Sequence, residues 1–316
     1  MERAERRNQT PIVEFILLGF GEVPELQPLL FLLFLVIYLV TMGGNNLILA
    51  LVVSSRHLHT PMYFFLGNLS FLDLCYSSSI LPRLLTSLLT GDRNISVKGC
   101  LVQLYWFSIM AATEFWLLTA MSYDRYLAIC RPLHYAALMN GRICGQLVVV
   151  SWISGFLLGI IANSFVFQLT FCDSKEIDHF FCDFSPMIKL SCSNTRTLEL
   201  VTYSDSTIGA LVPLLLTLAS YICIITTILR IPSSTGRQKA FSTCSSHLIV
   251  VTVLYGTLIA VYVVPTNNTP KVLHKMFSLC YTVLTPMINP VIYCLRNKEV
   301  KKSLRNAILK LVAFGN

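Results

Sequence analysis

The chain has 316 residues, of which 54% are hydrophobic and 13% charged. A soluble domain carries about 25% charged residues, so the 24 bases and 16 acids present here are too few to coat a globule of this size. An ordinary soluble enzyme, a disordered chain and a coiled coil are excluded; what remains is a protein that crosses a membrane several times.

A bilayer core about 30 Å thick takes about 20 apolar residues in helical form. Residues 1–27 form a polar outer tail, and Glu14, Glu22 and Glu25 keep it from reading as a cleavable signal. Beyond it, uncharged runs cover 26–55, 143–172, 206–229, 240–270 and 276–295. Two further runs tolerate one acid each, 57–82 with Asp73 and 99–123 with Glu114. These runs predict seven helices near 28–53, 61–83, 98–123, 143–162, 199–229, 240–264 and 272–294. Barrel strands would alternate in polarity over about ten residues, which no run does. Residues 163–198 form a long outer loop. After the seventh span, Val300, Leu304, Ile308 and Leu311 recur at helical spacing among bases, which predicts an amphipathic helix on the inner leaflet. The fold class is therefore an all-α membrane protein: an outer tail (1–27), a seven-helix bundle (28–295), and a cytoplasmic amphipathic helix and tail (296–316).

Basic residues set the orientation. With the N-terminus outside, the inner side collects Arg56, Arg125, Arg131, Arg142, Arg230, Arg237, Lys239 and the bases after Tyr293, against only Asp124 and Glu299. The net charge of +8 thus reads as topology and contact with anionic membrane lipid, not nucleic-acid binding. Four cysteines, Cys100, Cys172, Cys182 and Cys192, fall on the oxidising side and read as two disulfides with three pairings open. His179 stands three residues from Cys182, a spacing that suits a soft metal only if that thiolate is free. Asn8 opens the sequon best placed for a glycan, ahead of those at Asn94 and Asn267.

Asp73 and Glu114 are acids that lipid does not tolerate alone. Counting at 1.5 Å per residue puts them ~18 and ~15 Å from the inner helix ends, with Asn45 at ~16 Å. Two carboxylates at one level share a proton or a cation, so a sodium ion between Asp73 and Glu114 is the expected occupant, with a protonated, hydrated network as the alternative.

The inner ends carry the recognisable motifs. Asp124-Arg125-Tyr126 closes the third span, where the adjacent charges pair locally; Asn289-Pro290-Val291-Ile292-Tyr293 closes the seventh, where proline frees a carbonyl and permits a kink. Together with Pro61-Met62-Tyr63-Phe64-Phe65-Leu66, Met121-Ser122-Tyr123-Asp124-Arg125-Tyr126, Ser220-Tyr221, Lys239-Ala240-Phe241-Ser242-Thr243-Cys244 and Pro286-Met287-Ile288-Asn289-Pro290, they make a chain that resembles the rhodopsin-like G-protein-coupled receptors, and within them the vertebrate olfactory receptors of the tetrapod-type class. The likeness runs from about Asn8 to Leu311, with Ser122 standing where the family usually has alanine.

The resemblance implies disulfides Cys100–Cys182 and Cys172–Cys192, the sodium site at Asp73 and Glu114, and coupling to the olfactory stimulatory G protein and adenylyl cyclase in cilia of olfactory neurons. It implies that Asp124, Arg125, Tyr126, Tyr221, Lys239, His247, Asn289, Pro290 and Tyr293 carry activation. It implies a pocket for small volatile odorants in the outer half, walled by Phe107, Ser108, Ala111 and Ala112 on the third helix and Asp205, Ser206 and Gly209 on the fifth. Tyr255, Leu258, Ile259 and Tyr262 on the sixth and Leu279 and Thr282 on the seventh complete it. Such a wall binds by apolar burial with one or two orienting hydrogen bonds. The acid at Asp205 either selects a cationic ligand or, as favoured here, pairs with Lys275 or Lys271 or stays in water. The sixth helix has Tyr255-Gly256 in place of a proline-hinged toggle. No cofactor other than the sodium is expected. A transporter would need internal repeats or broken helices, and an intramembrane enzyme a catalytic motif; neither is present. A non-olfactory receptor of the same superfamily is the harder alternative.

Overall fold

The computed structural model describes residues 12–21, 24–172, 174–262, 271–296 and 300–305. Seven of its helices are long and apolar enough to cross a membrane. They are α1 (Gln27–Ser54), α2 (Pro61–Thr90), α3 (Val97–Cys130), α4 (Gly141–Val166), α5 (Arg196–Leu229), α6 (Ser234–Tyr262) and α7 (Lys271–Leu279 continuing to Arg296). Two of them are interrupted by π turns the sequence does not announce, Thr207–Leu211 in α5 and Cys280–Leu284 in α7. Local chemistry fixes the ends. Ser96 caps α3 by accepting from the Gly99 amide at 3.0 Å, Asn140 caps α4 through the Ile143 amide at 3.1 Å, and α2 stops at Gly91 in the left-handed region.

Helix α3 is the central strut. It packs against α2, α4, α5 and α6, and Leu104, Ile109, Met110, Leu117, Leu118 and Met121 are buried along it, while Val102, Trp106 and Tyr123 keep an exposed face. The peripheral helices keep one apolar face for lipid, as with Leu32, Val36 and Leu39 on α1 and Val149, Ile153 and Leu157 on α4. Helix α4 reaches α3 through Gly155 and Gly159: a side chain at either would collide with Thr113 or Ile109. This is small-residue packing of the kind that holds helices together where lipid removes the hydrophobic drive. At the α1–α7 contact, a Cβ on Gly44 would lie 3.0 Å from the Pro290 ring.

The end of the bundle where α1 begins carries a small sheet. Strand β1 (Glu14–Leu17) lies between β2 (Asn94–Ser96), to which it is antiparallel, and β3 (Glu176–Ile177), to which it is parallel. Phe15 and Leu17 are buried against Cys100, Leu104, Ile177 and Cys182. This stretch of the N-terminal segment is thus packed, because two apolar side chains at alternate positions have a core to enter. Disulfides join Cys100 to Cys182 and Cys172 to Cys192, with Cα separations of 5.5 and 6.0 Å. With Cys182 so engaged, its thiolate is not available to a metal beside His179. At the other end, residues 300–305 are helical; Val300 and Ser303 face the bundle while Lys301, Lys302 and Arg305 are exposed.

Candidate functional site

Three levels of the bundle carry the residues of interest. In the outer third, Phe107 is buried among aromatic rings, with centroids 5.4 Å from Tyr76, 5.0 Å from Phe181 and 6.3 Å from Tyr281. Gln103 ties this cluster to the loop: its amide donates to the Ser79 carbonyl at 2.9 Å, and its oxygen accepts from the Cys182 amide at 3.0 Å. Above it, Lys275 donates to Asp178 at 2.5 Å and to the Gly19 carbonyl at 2.7 Å, clasping the sheet to α7. His179 stacks on Phe180 beside them, with ring centroids 4.7 Å apart. Burial, reinforced by the positive neighbours His274 and Lys275, pushes its imidazole down to about 3.

The residues expected to wall a pocket are not all on one surface. Phe107, Ala112, Tyr255, Leu279 and Thr282 are buried, and Ala111 and Leu258 pack on the same core. Tyr255 stacks on Phe115 at 5.5 Å. Ser108 faces α4, accepting from the Asn163 amide at 2.7 Å. Gly209 is buried, Ser206 is exposed, and Ile259 is 47% exposed on the outer face of α6. Asp205 faces α4 rather than the rings, in a groove of 240 Å³ lined by Leu158, Ile161, Leu200, Val201, Ser204 and Ile208. Of the alternatives expected for it, pairing with Lys275 does not occur, since that ammonium is held by Asp178. Asn8, Asn267, and the side chains of Lys271, Tyr262 and Cys294 lie outside the described residues, as do Ile308 and Leu311. Tyr76, Gln103, Asn163, Phe180, Phe181 and Tyr281 escape a reading of the sequence. Gln103 and Asn163 leave a signal, each a polar amide inside an apolar run.

At mid-depth, Asp73, Glu114, Asn45 and Asn289 are all buried. Asn289 donates to Asp73 at 3.0 Å, and Asn45 donates to the Pro286 carbonyl at 3.0 Å. One oxygen each of Asp73, Glu114, Asn45 and Asn289, and the hydroxyl of Ser77, make no hydrogen bond to protein. Hard oxygen donors of this kind suit water or a small hard cation. Among the described residues no three His, Cys, Asp or Glu side chains gather as a metal cluster.

At the inner end, the Arg125 guanidinium pairs with Asp124, its Nε donating at 3.0 Å. Tyr135 in the short helix Pro132–Leu138 donates to the other Asp124 oxygen at 2.8 Å. Tyr126 is half-buried against the α5–α6 core. Tyr221 bonds His247 across α5 and α6, oxygen to Nδ1 2.6 Å. Tyr293 is buried with its hydroxyl unbonded, and Lys239 is exposed on α6. The crevice between α5 and α6, lined by Tyr221, Ile228, Phe241, Cys244 and Leu248, measures only 10 Å³. The inner face is thus closed around one ion pair and one phenol–imidazole hydrogen bond.

Comparison with known proteins agrees with this arrangement. The fold is similar to that of squid rhodopsin, with a TM-score of 0.68 over 92% of this chain and 87% of that one at 16% identity. Mouse olfactory receptor 5AP2 is 46% identical over 304 residues, covering 96% of both chains. Human olfactory receptor 6C75 is 46% identical over 306 residues, covering 97% of this chain and 98% of its own. The sequence profile described as "Olfactory receptor" matches residues 34–311, and the chain belongs to the olfactory receptor family, multi-pass membrane receptors rather than enzymes.

Proposed function

We propose that this receptor binds small, largely apolar volatile molecules between α3, α5, α6 and α7 in the outer half of the bundle, and that binding opens its inner end to the olfactory stimulatory G protein, raising cyclic AMP. The observation that carries the reading is Tyr255. Its ring stacks on Phe115 and its hydroxyl is buried without a hydrogen bond, so a ligand hydroxyl or carbonyl offered there relieves an unpaired donor. Phe107, Ala111, Ala112, Leu258, Leu279 and Thr282 supply apolar neighbours of the same core. Burying ~200 Å² of odorant is worth ~5 kcal/mol, which sets micromolar or weaker binding. The plasma membrane of olfactory cilia, an extracellular N-terminus glycosylated at Asn8, and contact of the inner bases with anionic lipid complete the reading.

Activation runs through the inner pair. A ligand that prefers the open state shifts α6, breaking Tyr221–His247 and freeing Arg125 from Asp124 for the G protein. At mid-depth, Asp73 and Glu114 would hold a sodium ion in the closed state, with Asn45, Ser77 and Asn289 as further oxygen donors; the ion would neutralise the two carboxylates. A cyclic-AMP reporter screen of volatile compounds tests the whole. Active compounds lose about tenfold or more in potency in Tyr255→Ala and all response in Arg125→Ala at equal surface expression. Responses that survive both substitutions overturn the reading. Sodium-dependent thermal stability that persists in both Asp73→Asn and Glu114→Gln overturns the cation.

A further inference from the structure

The groove at Asp205 is a separate feature. Seven residues line it: two from α4, Leu158 and Ile161, and five from α5, Leu200, Val201, Ser204, Asp205 and Ile208. Leu200 and Ile208 are 62% and 51% exposed, and Ile161 49%, so the groove opens sideways, away from the rings around Phe107. Six of its residues are neutral and one is an acid. Oδ1 of that acid is buried and makes no hydrogen bond. Lys275, a cation expected beside that acid, is taken by Asp178 and the Gly19 carbonyl. Asp205 lies nine residues along α5 from Arg196, or ~13 Å by helical rise, in the outer half of the helix. An ionisable side chain at such a place without a partner is costly and marks a binding function.

The charge and shape of the groove specify what covers it. Its 240 Å³ equals about eight waters at ~30 Å³ each, below the roughly 300 Å³ at which drug-sized pockets begin. The apolar walls run along the two helices while the single acid sits between them. An occupant that satisfies both has one protonated amine and a short hydrocarbon body. We propose that the α4–α5 groove is a second ligand site, distinct from the ring-lined interior, which takes small alkylamines from the membrane phase, with the ammonium on Asp205 and the chain along Leu158, Ile161 and Ile208. Ser204, one residue before the acid and part of the same lining, offers a hydroxyl to accept a second N–H. This assignment does not rest on the pocket proposed above, because the two sets of walls share no residue.

The test uses the full-length receptor in phosphatidylcholine nanodiscs and a diazirine-bearing octylamine as photoprobe, with the matching octanol probe as control. Labelled peptides are mapped by mass spectrometry. The expected result is amine labelling on α4 and α5 around Leu158, Ile161 and Ser204–Ile208. Unlabelled octylamine competes and octanol does not. Asp205→Asn lowers amine labelling by about tenfold or more, and so does Ile161→Trp, which fills the groove from its lipid side. Size-exclusion profile and thermal melting confirm that both variants are folded; if Ile161→Trp is not, Leu158→Phe replaces it. Labelling at Phe107 or Tyr255 in place of the groove overturns the proposal. Labelling unchanged in Asp205→Asn does so as well, as does labelling abolished by adding phosphatidylethanolamine to the nanodisc, since the occupant would then be a lipid headgroup.

Discussion

The outer and inner ends of the bundle are held by different kinds of bond. Outside, the Cys100–Cys182 disulfide, a three-stranded sheet and the Lys275 clasp join segments far apart in sequence, Cys172–Cys192 closes a local loop, and Phe107, Phe180 and Phe181 fill the space beneath. Inside, the Arg125–Asp124–Tyr135 chain ties α3 to the short helix that follows it, and α3, α5 and α6 meet through Cys130–Thr227, Tyr221–His247 and a small apolar cluster around Ile224, Ile228 and Cys244. Covalent links and buried rings hold one arrangement; a few polar contacts and a small apolar cluster have fewer competitors to beat. On the function proposed above, the contrast gives rigidity to the end that would bind ligand and movement to the end that would signal, so a small change at one can be read as a large one at the other.

The sharpest break of this contrast is to cut the outer end. Cys100→Ser removes the link between the top of α3 and the loop, and losses of a native disulfide run to about 2–5 kcal/mol. Melting temperature in detergent should fall by several degrees or more and surface expression with it, while basal signalling per receptor stays unchanged. A Cys172→Ser variant, whose bridge closes only a local loop, should lose less. Equal losses would mean that the sheet and not the α3 tether carries the outer end.

Breaking the inner end should change signalling more than stability. Tyr221→Phe deletes a hydrogen bond to His247 worth about 1 kcal/mol net and keeps the ring stacked at 5.8 Å. If the bond holds α6 closed, basal cyclic AMP rises by up to about fivefold with little change in melting temperature. Tyr135→Phe, which leaves Asp124 paired only with Arg125, should act in the same direction and less strongly. A fall in basal activity in Tyr221→Phe would place the bond in the open state instead.

Lipid makes much of this legible in the sequence. The seven spans emerge from gaps between charges, and the two interruptions, Asp73 and Glu114, mark the polar layer, because lipid admits an acid only where it has a use. The rest depends on contacts that no short window holds. Strand β1 is four residues, and its partners stand near positions 95 and 176. The π turns in α5 and α7 widen the helix at Gly209 and Tyr281, which is why regular helical counting does not separate Ser206 from Gly209 or find Tyr281 beside Phe107. Gly155 and Gly159 are spaced for helix contact, but only the fold says which neighbour they meet.

The smallest expected effect is a pH dependence confined to the outer end. His179 is buried between Phe180, Phe181 and His274, near Lys275 and Asp178, and these surroundings hold its pKa at about 3 against an ordinary 6.5. Between those values the unfolded chain binds a proton that the folded one does not. Stability therefore rises with pH through this window and is lost as pH falls below about 6.5. The limiting slope is ~1.4 kcal/mol per pH unit, so from neutral pH to about 6 the loss stays under ~1 kcal/mol. In His179→Phe, which keeps an aromatic ring against Phe180 and removes the titration, melting temperature should be flatter between pH 7 and about 5 than in the parent receptor. An identical slope in the two proteins would move the acid sensitivity away from this imidazole and toward the Lys275–Asp178 clasp, where Asp178→Asn would then abolish it.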